Sequence, residues 1–151
     1  MPSRALLVLA LILLPFAASS GGCIDSGACT EIGCSSSAEV SFGSLVVDEP
    51  YTLSIDPNGA TVTAICLGEP GDEPQPPEWL SCDANGFTIT GSEADLLTVV
   101  SVTVVPVSTG EAVITNELVN LSTDEILRPN GPDCEPTCYT RSGVVPEPPP
   151  P

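Results

Sequence analysis

The sequence predicts an all-β protein, an antiparallel β-sandwich, and three observations carry that reading. Apolar and polar residues alternate over short runs, the pattern of strands with one buried face. Pro, Asn, Asp and Gly recur between those runs, where each supplies a backbone geometry that a turn needs. No stretch keeps a helical period beyond one turn.

In chain order, the β pattern begins at Ala38, where Val40 and Phe42 alternate with Ser41 and Gly43. Tyr51, Leu53 and Ile55 then alternate with Thr52 and Ser54. Asp56-Pro57-Asn58-Gly59 is a turn, because Pro presets φ and Gly accepts positive φ, and Thr61 to Leu67 is its return strand. Glu69 to Glu78 is a proline-rich acidic loop, whose prolines cannot donate to a strand ladder. Asp83 to Gly86 is a second turn, and Phe87 with Ile89 marks a short strand. Glu93 to Leu97 has room for one helical turn at most. Thr98 to Val107 is β-branched along most of its length, with Val100, Val102 and Val104 on one face. Ser108-Thr109-Gly110 turns the chain into Ala112 to Leu121, while Glu117 to Leu127 favours no single element. After the turn-rich stretch 129–138, a last strand covers Tyr139 to Val145, and the Pro-rich residues 146–151 form a disordered tail. Residues 38–145 therefore make one domain.

The layout resembles an immunoglobulin-like or transthyretin-like exported domain. It departs from the immunoglobulin spacing, because Cys66, Trp79 and Cys82 lie too close together to be the cross-sheet cysteine pair with its Trp.

Residues 1–22 read as a signal peptide. Arg4 precedes a charge-free apolar run from Ala5 to Ala18, which ends in Ser19-Ser20-Gly21-Gly22-Cys23. At 1.5 Å per residue the run reaches roughly 21 Å, short of the bilayer core but suited to a secretory signal. Ser20-Gly21-Gly22-Cys23 resembles the lipobox of bacterial lipoproteins, with Ser20 where an aliphatic residue is usual. The resemblance implies lipid attachment at Cys23, cleavage just before it, and a membrane anchor. With Ile24 rather than Asp after the cysteine, it implies the outer membrane in a Gram-negative cell. Residues 23–37, small and polar, would form the attachment site and tether. Ordinary cleavage near Ala18 or Ser20 is the alternative and would leave a soluble secreted domain.

Cysteine parity bears on the same point. The chain has seven, at 23, 29, 34, 66, 82, 134 and 138. Lipidation of Cys23 leaves an even number in an oxidising compartment, where disulfides persist. Cys66 and Cys82 flank the proline-rich loop and are expected to bond to each other. Cys29 and Cys34 are expected to cross over to Cys134 and Cys138, stapling the two chain ends to the sandwich. A zinc site built from Cys29, Cys34, Cys134 and Cys138 is the rival, disfavoured by export.

Charge removes whole chemistries. Twenty acidic residues face three arginines (Arg4, Arg128 and Arg141), with no Lys or His and a net charge of −17. Nucleic acid is excluded as a partner, because almost nothing could displace its counterions. There is no imidazole base, Schiff-base lysine or histidine metal ligand. Adjacent acidic pairs such as Asp72-Glu73 would point to opposite faces of a strand, and no nucleophile elbow or phosphate loop occurs, so no catalytic site and no cofactor are expected. Asp48-Glu49, the 69–78 loop and Asp124-Glu125 could supply oxygens to a weak Ca²⁺-dependent adhesion module. Asn120-Leu121-Ser122 has the N-glycosylation pattern, which means little in a bacterial lipoprotein. The expected function is a lipid-anchored envelope protein acting as a surface interaction or structural module, with loop 69–78 as its contact for a protein partner. A soluble secreted binding or inhibitor domain is the alternative.

Overall fold

The computed structural model describes residues 32–147. The strands are β1 (Ser37–Ser41), β2 (Tyr51–Asp56), β3 (Val62–Cys66), β4 (Leu80–Asp83), β5 (Gly86–Thr90), β6 (Val99–Pro106), β7 (Ile114–Asn120), β8 (Ser122–Leu127) and β9 (Cys138–Val144), with one helical turn, α1 (Ser92–Asp95), before β6. They form a five-stranded sheet in the order β4-β5-β1-β9-β8 and a four-stranded sheet in the order β3-β2-β6-β7.

Alternation decides which face is buried. Tyr51, Leu53 and Ile55 of β2 and Val100, Val102 and Val104 of β6 all point inward. Ala38 and Val40 of β1 and Phe87 and Ile89 of β5 meet them from the other sheet in one continuous core. Each fully buried Leu, Ile or Val contributes about 2 kcal/mol relative to exposure. Phe42 packs edge-on against Tyr51 with ring centroids 5.9 Å apart and lies 6.2 Å from Phe87, sealing one end.

The turns form as their residues dictate. Gly59 has φ 82° and donates its N–H to Asp56 Oδ1 at 2.5 Å, closing the β2–β3 hairpin. Asp83 Oδ1 accepts from the amides of Asn85 at 2.7 Å and Gly86 at 3.1 Å, closing the β4–β5 hairpin.

Both flanks of the sandwich are closed. On one, the edge strands β3 and β4 of opposite sheets are joined by the Cys66–Cys82 disulfide, with Cα atoms 5.8 Å apart. On the other, β7 continues into β8 through Leu121 alone, so the chain passes from one sheet to the other in a single residue. Leu121 is buried, and its amide donates to Thr98 O at 2.9 Å.

The sandwich is stapled and antiparallel as expected, with one exception and three refinements. β1 and β9 run parallel, from Ser37 opposite Thr140 to Ser41 opposite Val144. Parallel neighbours need a long crossover, and here the rest of the domain supplies it. β4 was not expected as a strand: it alternates over only four residues, straight after a proline loop. β8 lacks alternation because every residue in it is exposed. Finally, the expected 23–37 tether does not reach residue 37: Ser36 is buried and Cys34 is bonded to Cys138, so these residues belong to the domain.

Candidate functional site

The 69–78 loop is built on the β3–β4 flank. Its prolines exclude it from the sheet, so its backbone groups find partners within the loop and at the flanking strand ends. Glu69 N donates to Asp72 Oδ2 at 2.8 Å, and Asp72 N returns to Glu69 O at 3.1 Å. Gln75 Nε2 donates to the carbonyl of Asp72. Pro74 O accepts from Ile65 N at 2.7 Å, which occupies the outer edge of β3. Leu80 N donates to Pro77 O at 2.9 Å as the chain enters β4. Residues 69–75 and Glu78 are exposed. The result is a braced acidic projection held at its base by Cys66–Cys82, with carboxylates from Glu69, Asp72, Glu73 and Glu78 on its surface. Blocking an edge strand with a loop also protects it from adventitious pairing. Trp79 is half-buried against the core, and its carbonyl accepts from Thr90 N at 2.8 Å.

A second cluster surrounds the start of β1. Cys34 bonds to Cys138 with Cα atoms 6.1 Å apart. Asn130 clamps the segment just upstream: its Oδ1 accepts from Ile32 N at 3.0 Å and its Nδ2 donates to Ile32 O at 3.1 Å. Ser36 Oγ donates to Asp95 Oδ1 at 2.5 Å and accepts from Tyr139 N at 3.0 Å, linking α1 to β9. Arg141, one of two arginines among the described residues, is buried here. Its guanidinium stacks on the Tyr139 ring, 4.5 Å from the centroid, and Nη1 donates to Ala94 O, while the buried Nε has no hydrogen-bond partner. Charge alone would have placed Arg141 in solvent. The one hint in the sequence is its spacing from Tyr139, two residues apart on one strand face.

Among the clefts formed by the described residues, two are roomy. One, of about 640 Å³, is lined by Asn58, Glu93, Asp95, Leu96, Glu135 and Tyr139 among others. The other, of about 470 Å³, is lined by Phe42, Leu45, Val113, Val145 and Pro146, with Glu117 and Glu147 among its polar residues. Neither was legible from sequence, because each combines residues from distant segments. Next to Phe42 in the core, Tyr51 Oη donates to Asp83 O at 2.8 Å. Burial raises the Tyr51 phenol well above its ordinary range, and the Asp83 carboxylate adds to the shift.

The residues singled out from the sequence do not converge on one centre. Cys34–Cys138 and Cys66–Cys82 are disulfides, and Cys134 is disulfide-bonded too, so these thiols are not a zinc site. Cys23 and Cys29 lie outside the described residues, as do residues 1–22 and 148–151. Among the described residues, no three His, Cys, Asp or Glu side chains are grouped so as to hold a metal ion, and the carboxylates at 48–49, 69–78 and 124–125 form no such group. Among those residues too, no helix is long and apolar enough to cross a membrane.

The strands and their cross-links define a disulfide-stapled β-sandwich module. Comparison with protein-family models, curated proteins and solved structures finds no match for the chain.

Proposed function

We propose that this is an exported envelope protein, anchored by lipid on Cys23, whose sandwich serves as a surface interaction or structural module. The disulfide framework is the observation that supports export most strongly: every described cysteine is disulfide-bonded, as in proteins matured in an oxidising compartment. Seven is an odd number, and a lipid on Cys23 accounts for the thiol that cannot pair within the chain. The Ser20-Gly21-Gly22-Cys23 pattern supplies the attachment chemistry, and the residue after it favours the outer membrane.

The 69–78 loop is the proposed contact surface, because rigid strands hold it outward and its carboxylates face solvent. Its charge favours a basic protein partner over another copy of this acidic chain. Membrane fractionation tests the anchor: the protein is expected in the detergent-extractable fraction, and Cys23→Ser is expected in the soluble fraction. Recovery of both proteins as soluble material would replace this reading with that of a secreted binding domain. Replacement of residues 69–78 by a short Gly-Ser link tests the contact surface. The variant is expected to keep its Cys66–Cys82 bond and its fold while losing partner capture on the cell surface; unchanged capture would remove the loop from the account.

A further inference from the structure

The two ends of the described chain are connected in an unusual way. β1 and β9 are neighbours in the middle of the five-stranded sheet and run parallel. The incoming chain therefore reaches β1 at the same end where β9 begins, and the outgoing chain leaves β9 at the opposite end. The Cys34–Cys138 disulfide ties the strands at that incoming end: Cys34 stands just before β1, and Cys138 is the first residue of β9.

When the two ends are drawn apart, tension arriving at Cys34 meets a branch. One branch runs through β1 and the remaining strands. The other crosses the disulfide into Cys138 and runs straight along β9 to Val144. The second branch is covalent throughout and already extended, since a strand rises about 3.3 Å per residue. The chain between the two cysteines, a separation of 104 residues, lies off that path. Detaching β9 from its neighbours would add little length, because it cannot be drawn out much further. Even without the disulfide, the two strands would be pulled along their length in opposite directions. The whole β1–β9 ladder, continued by Val145 N on Ser41 O at 2.8 Å, would then be loaded together instead of one bond at a time.

We propose that the domain is a tension-bearing link, in which the Cys34–Cys138 disulfide and β9 carry load past the fold from the incoming to the outgoing chain. Its place at the envelope rests on the anchored reading above; the load path rests only on the topology and the disulfide.

Single-molecule pulling on the full chain, with handles at both termini, tests the load path. Under non-reducing conditions no lengthening step beyond that of the short segments outside the staple is expected. With a thiol reductant, which also opens Cys66–Cys82 and the bond at Cys134, the accessible contour length should grow by roughly 350 Å, the reach of the released residues. Force is raised until the reduced domain unfolds, so that contour length reports this difference whether that domain enters the pull folded or already unfolded. A step of that size in the oxidised protein, or equal lengths with and without reductant, would overturn the proposal. An unmodified Cys23 would remove the anchor and leave this result unchanged, so the two failures are distinguishable.

Discussion

Tyr51 shows how a single position couples alternation, burial and titration. Its ring is inward because it opens β2 on the buried face, and its hydroxyl reaches Asp83 O. The folded protein raises the phenol above its unfolded value of about 10. Stability from this group is therefore complete below about pH 10 and declines as pH rises beyond it, by at most about 1.4 kcal/mol per pH unit. Urea titrations of the native protein and Tyr51→Phe at pH 7 and pH 11 check this. The variant should lose about 1 kcal/mol at pH 7 through the missing hydrogen bond, and should show a weaker alkaline decline than the native protein. The same scale exposes two glycines whose reason is spatial. A Cβ on Gly86 would stand 2.0 Å from Val40 O, a backbone atom in the β1–β5 pairing. A Cβ on Gly143 would meet the side-chain ends Val119 Cγ1 at 2.6 Å and Leu121 Cδ2 at 2.7 Å, with the nearest backbone atom, Asn120 O, farther off at 3.0 Å. Side-chain ends can shift and a paired backbone cannot. Gly143→Ala should therefore cost about 1–3 kcal/mol, and Gly86→Ala more, as read from denaturation midpoints.

Elements were legible in the sequence where a buried face repeats over several residues, and illegible in β4, which is short, and in β8, where no residue is buried. β2 and β6 stand out because their inward residues are apolar at every second position. β8 leaves Asp124, Glu125, Ile126 and Leu127 all exposed, so its sequence obeys no period and the 117–127 stretch favours no single element. Acidic residues and a register shift between Thr123 and Glu125 blunt this edge against further pairing. β7 carries a second irregularity: Asn116 adopts φ 50°, and its amide donates to Thr103 Oγ1 at 2.9 Å. The register of β6 and β7 shifts at this point, which local sequence does not announce. The Cys66–Cys82 bond was legible because both cysteines flank a loop that cannot join the sheet. It spans 16 residues, so replacing both cysteines with Ala should cost about 3 kcal/mol and lower the Tm measurably in calorimetry. A Tm equal to that of the native protein would mean that Leu80 and the docked Pro74 carbonyl already hold this flank closed.

At the scale of the molecule, the staple between the N-terminal and C-terminal segments was legible from cysteine positions, whereas the direction of the strands it joins was not. Parallel pairing of β1 with β9 depends on how seven intervening strands are divided between two sheets, which no local pattern encodes. The clefts share that origin, since Phe42, Val113 and Val145 meet only after the sheets close. Arg141 is a buried cation in a chain of net charge −17, positioned by Tyr139 and the Ala94 carbonyl. The proposed export and anchoring rest on the first residues of the sequence, and the disulfides of the fold are consistent with export. The most direct test of the central claim is the non-reducing intact mass of the protein extracted from membranes, with analysis of its N-terminal peptide. The account predicts a chain that begins at acylated Cys23 and holds no free thiol. A chain that begins before Cys23, with that side chain unmodified, would contradict it.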